Sequence, residues 1–73
     1  MMSRKLGFNG SAEWVIQGAC DIVAKHTRAT TSVRYISDTS GTITIQADTP
    51  GEVELAIAHL SRDPICSKHL KAA

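Results

Sequence analysis

Thr-Ile-Thr-Ile-Gln-Ala-Asp-Thr-Pro-Gly-Glu, residues 42–52, contains both a strand and the start of a helix. Alternation puts Ile43, Ile45 and Ala47 on one face and Thr42, Thr44 and Gln46 on the other, the pattern of a half-covered strand. Thr49-Pro50-Gly51-Glu52 then forms a capping box with proline at the first helical position. Val53, Ala56, Ile57 and Leu60 follow at helical spacing and supply a buried stripe. A strand with one apolar face that runs into an amphipathic helix specifies an α+β domain.

Upstream, Asp-Thr-Ser-Gly (38–41) is a turn cluster, and the β-branched stretch Thr30 to Ser37 reads as a partner strand. Its alternation puts Val33 and Tyr35 inward, with Ser32, Arg34 and Ile36 outward. The two strands form a hairpin with one polar face. Before it, Ala12, Val15, Ala19, Ile22 and His26, widened by Ile16 and Val23, predict a helix from Ala12 to about Arg28. Ser11 is the expected N-cap and Glu13 suits the positive end of the helix, while Lys25, His26 and Arg28 suit its negative end. Downstream, Asp63-Pro64 ends the second helix and caps a short third one, where Ile65 and His69, and Cys66 and Leu70, pair four apart. Residues 1–10, punctuated by Gly7 and Gly10, read as an arm or short edge strand. The expectation is one small α-β-β-α domain over 11–73: an antiparallel hairpin, helices on one face and a short C-terminal helix.

The chain has 73 residues, of which 42 % are hydrophobic and 21 % charged, and its formal net charge is +1. A core this small leaves little room for the deep, water-excluded pocket that acid–base or nucleophilic chemistry needs. We therefore expect no enzyme, no cofactor and no small-molecule substrate. No apolar run reaches the roughly 18 residues of a membrane span. The basic start, Met-Met-Ser-Arg-Lys-Leu-Gly, lacks the apolar stretch of a secretion signal. Cys20 and Cys66 are then two reduced thiols, and the cytoplasm is the expected compartment.

Cys66 and His69 have a spacing that suits a metal on a helical turn, but a tetrahedral site needs two more ligands. The remaining candidates, Cys20, His26 and His59, are scattered, so no metal is expected. Cys20 paired with His26 or His59 would be a poor nucleophile, since Asp21 beside it disfavours the thiolate. Trp14 falls off the apolar stripe of its helix, on a flank with Gly18, Asp21 and Lys25, a composition typical of contact hot spots. The alternative is that Leu6 or Phe8 of the arm folds over Trp14 as a staple. Arg34 joins Trp14, Asp21 and Lys25 as a candidate partner-binding residue.

Residues 33–60, Val-Arg-Tyr-Ile-Ser through Ala-Ile-Ala-His-Leu, resemble the second half of a K-homology (KH) RNA-binding domain. That family has a strand, an Asp/Gly turn, a Thr-(Val/Ile)-Thr-Ile strand and a helix with Val-Glu-x-Ala-Ile. Its Gly-x-x-Gly loop lets backbone amides approach phosphates. The resemblance implies RNA binding through Gly7-Phe8-Asn9-Gly10, which has Phe8 and Asn9 where the family carries Lys or Arg. Arg4 and Lys5 precede this segment, and Lys68 and Lys71 are candidates to extend the patch.

Two functions follow as expectations. The first is a non-enzymatic adaptor or inhibitor that docks onto a larger protein or ribonucleoprotein, a size class that includes many phage-encoded inhibitors. The second is a KH-like RNA-binding module.

Overall fold

The computed structural model describes residues 2–72. Its elements are β1 (Met2–Phe8), α1 (Glu13–His26), β2 (Thr30–Tyr35), β3 (Gly41–Ala47), α2 (Pro50–Arg62), α3 (Pro64–His69) and β4 (Leu70–Ala72). The four strands make one antiparallel sheet of order β2-β3-β1-β4. This is the split β-α-β (ferredoxin-like) topology, with α3 inserted before the last strand. The small α+β domain with a short C-terminal helix expected from the sequence is present.

The segment read as an arm or edge strand is instead an interior strand. All of Met2 to Phe8 pairs with Ala47 to Gly41, and Leu6 to Phe8 pairs on the other side with Ala72 to Leu70. Leu6 and Phe8 are buried with Ile43 and Ile45 beneath Ile16, Ala19, Val23, Val53, Ala56 and Leu60. The helices cover this one face of the sheet. β4 was not foreseen, because three residues are too short to display a period; Leu70, expected at the end of α3, is its first residue.

The caps divide into those that hold and one that does not. Thr49 Oγ1 accepts from the Glu52 amide at 3.4 Å, and Asp63 Oδ2 accepts from the Cys66 amide at 3.0 Å, as expected. The Glu52 carboxylate, however, accepts from the Arg28 amide at 3.2 Å and does not close the capping box. Helix α1 starts later than expected, with Ala12 as N-cap and no side-chain cap bond. Ser11 is fully buried instead. Its amide donates to the Thr39 carbonyl at 2.9 Å, and its hydroxyl lies 2.9 Å from His69 Nδ1, which ties the β1–α1 connection to α3. The helix also ends earlier, at His26. Thr27 caps it by donating both its amide and its hydroxyl to the Val23 carbonyl.

Candidate functional site

Sheet topology places the charges. Ser3, Lys5 and Gly7 on β1 share the open face with Thr30, Ser32 and Arg34 on β2, Thr42, Thr44 and Gln46 on β3, and Lys71 on β4. The strand registers align Arg34, Thr42, Gly7 and Lys71 in one row across the whole sheet, with Ser32, Thr44 and Lys5 in the next. All of these residues are exposed or half-buried. The seven acids, Glu13, Asp21, Asp38, Asp48, Glu52, Glu54 and Asp63, all lie outside the strands. The open face is therefore cationic and rich in hydroxyls, while the acids gather on the helical side and in the connections.

Of the residues expected to contact RNA, Lys5, Gly7 and Lys71 come together on this face, joined by Arg34 from the other candidate set. Lys68 on α3 lines a hollow with Gly7, Asn9, Ile36 and Lys71. Arg4 points the other way and pairs with Glu54 on α2 at 2.6 Å. Gly7 lies inside β1 rather than in a loop. Gly10, in the turn to α1, has φ +68, a backbone conformation that favours glycine.

Trp14 is 65 % exposed, so neither Leu6 nor Phe8 staples it; both sit beneath the helices. Asp21 and Lys25 are exposed on the same stripe of α1, with Gly18 half-buried between Trp14 and Asp21. Arg34 faces away on the opposite side of the sheet and is not part of this patch. The sequence reading missed a second apolar group at the end of β2, where Tyr35 is 45 % and Ile36 80 % exposed. Tyr35 does lie on the helix-side face, where its ring meets Phe8 edge-on, but β2 is an edge strand and, among the described residues, no strand lies on its outer flank. An alternation pattern predicts which way a side chain points; it does not predict whether another strand lies beyond it.

The reactive side chains are dispersed. The Cys66 thiol is buried on the core side of α3, and burial, then the hydrogen-bonded Asp63 carboxylate, push its pKa up to about 12. It stays protonated at neutral pH and acts as a packing group. Asp63 is held below its usual carboxylate value, first by its bonds to Cys66. His69 is engaged with Ser11, and the His26 and His59 rings stack at 4.5 Å between α1 and α2. Cys20 is half-buried on α1, and both thiols are free. Among the described residues no three His, Cys, Asp or Glu side chains gather as a metal site, and no helix is long and apolar enough to cross a membrane.

No protein-family model, curated protein or solved structure matches the chain. The split β-α-β topology hosts many unrelated functions, so the functional argument rests on the surfaces alone.

Proposed function

We propose that this chain is a non-enzymatic docking module, an adaptor or inhibitor that binds a larger protein or ribonucleoprotein through the α1 side. The observation that carries this reading is Trp14, 65 % exposed on a helix whose other large apolar residues are turned into the core. Leaving an indole in water forgoes the roughly 2 kcal/mol or more that burying a large apolar side chain contributes. A partner surface that covers Trp14 and extends along the helix to Asp21 and Lys25 would recover it. The test is capture on immobilised protein, with wild type and Trp14→Ala compared on the same extract. The expected result is a discrete partner whose affinity falls about thirtyfold in the variant, equivalent to about 2 kcal/mol, with an unchanged melting temperature. Equal capture by both proteins would remove Trp14 from the interface, and a collapsed melt would make it structural.

A second reading, RNA binding, is supported by the open sheet face, where Lys5, Arg34 and Lys71 stand among hydroxyls with no carboxylate beside them. That face carries no aromatic side chain on which a base could stack, so contact would be with phosphates and largely independent of sequence. An RNA gel shift across a salt series separates this reading from the first.

A further inference from the structure

Resting on the docking reading, we propose that the outer edge of β2, with the groove between it and α1, takes an extended segment of the partner protein as a fifth strand. The segment would carry lysine, arginine or apolar residues at alternate positions, with hydroxyl or acidic residues between them.

The argument begins with backbone groups. The Ile36 amide donates to the Ser40 carbonyl at 2.8 Å across the hairpin. In an antiparallel ladder the direction of the backbone groups alternates, so Arg34, Ser32 and Thr30 also face β3. Thr31, Val33 and Tyr35 therefore turn their N–H and C=O groups outward, where the described structure has no strand. Proteins commonly protect such an edge with proline, lysine, a bulge or a very short strand. The β4 edge follows that rule, with three residues including Lys71. β2 does not: its six residues, Thr-Thr-Ser-Val-Arg-Tyr, pair in continuous register and contain neither proline nor lysine.

A groove accompanies the edge. Ile16 and Cys20 of α1 face Val33 and Tyr35 of β2 across a shallow hollow, with Glu13 and Asp21 also lining it. A second hollow continues past Tyr35 and Ile36 to Asp38. An extended chain laid beside an edge strand and under a helix is a recurrent mode of peptide recognition, in which main-chain bonds supply affinity and alternate side chains supply specificity.

Charge selects the occupant. Glu13, Asp21 and Asp38 surround the groove, and the one ion pair within 4.0 Å among the described residues is Arg4–Glu54, elsewhere on the molecule. A second copy paired through β2 would bring two acidic rims face to face, which is unfavourable. A segment with lysine or arginine on the groove side neutralises them and lays aliphatic stems on Val33 and Tyr35. On the open face the added strand would run beside Ser32 and Arg34, which suit hydroxyls or carboxylates.

The test uses synthetic hexapeptides of alternating Lys/Val and Thr/Glu, fluorescein-labelled, titrated at low salt by anisotropy. Each peptide is also made in two N-methylated forms, one for each alternate set of amides. Strand addition predicts saturable binding, weakened about tenfold or more by one N-methyl set and little by the other, since only one set faces β2. Amide exchange at Thr31, Val33 and Tyr35 should slow in the complex. Thr31→Pro removes one outward N–H without breaking the β2–β3 ladder and should weaken binding in the same way. Equal sensitivity to both N-methyl sets, or no saturable binding by any peptide, overturns the proposal. So does a dimer in sedimentation that Thr31→Pro abolishes, because the occupant would then be a second copy. Trp14-dependent capture that is indifferent to Thr31→Pro would sink strand addition and leave the docking reading standing.

Discussion

Gly41 shows how one residue without a side chain organises its neighbours. It lies opposite Phe8 on β1 and Tyr35 on β2, on the covered face of the sheet. The Phe8 and Tyr35 rings meet edge-on, at 5.6 Å between centroids, a favourable aromatic geometry. A Cβ built there would run into the Arg34 carbonyl and lie 2.9 Å from the Tyr35 Cα. Both are backbone atoms and cannot swing aside. Gly41→Ala should therefore force the strands apart and cost about 1–3 kcal/mol, as overpacking does, or roughly 4–8 °C of melting temperature per kcal/mol in a domain of this size. Chemical denaturation checks it. Gly7→Ala is the matched control: its Cβ would meet nothing nearer than the Lys71 carbonyl at 4.0 Å, and it should be close to neutral. Composition alone could not separate these glycines, since only the register shows which one stands between two aromatic rings.

At the scale of elements, the decisive fact is that β1 joins the sheet as an interior strand. Its removal exposes Ile43 and Ile45, deletes Leu6 and Phe8 from the core and detaches β4, which among the described residues pairs with β1 alone. A chain starting at Ser11 should thus fail to fold, seen as loss of amide dispersion and of a cooperative melt; a native-like melt would restore the arm reading. The elements that declared themselves in sequence did so through local chemistry. The Thr49 and Asp63 caps, the Thr42–Ala47 alternation and the α1 and α2 stripes each need only their own neighbours. β1 was harder to read because its buried apolar content is confined to Leu6 and Phe8. Arg4 shares their face but reaches out to Glu54. Its other parity, Ser3, Lys5 and Gly7, is polar because that face is uncovered. Ser11 misled for a related reason: a serine before a helix is a good cap in isolation, but here the packing of α3 supplies His69 as its partner. The candidate site was legible to the same degree. Trp14, Asp21 and Lys25 lie on one helix, so a helical wheel finds them. The row of Arg34, Thr42, Gly7 and Lys71 spans all four strands, and only the fold assembles it.

For the whole molecule, the net charge of +1 conceals a separation of charge across the two layers. Three cations stand on the open sheet face with no acid among the strands, so an anionic polymer meets a local field that the total does not report. The number of cations also limits what that field can do. Neutralising about three phosphates of a single strand gives a slope near −2 in log affinity against log salt. With no exposed aromatic on the face to add stacking, binding should be weak and should vanish at moderate salt. The prediction is a faint gel shift of mixed-sequence single-stranded RNA at low salt with that slope. Two double variants with the same change in net charge locate the surface. Arg34→Glu with Lys71→Glu reverses the sheet face and should abolish the shift. Lys25→Glu with Arg62→Glu reverses cations on the helical side and should leave most of it, because those side chains stand on the other layer. Equal loss in both variants would mean that the RNA responds to total charge rather than to the sheet, and the second reading would fall. A shift that persists with a slope much steeper than −2 would require more cations than this face holds, and would move the RNA surface toward Lys68 and the α3 end.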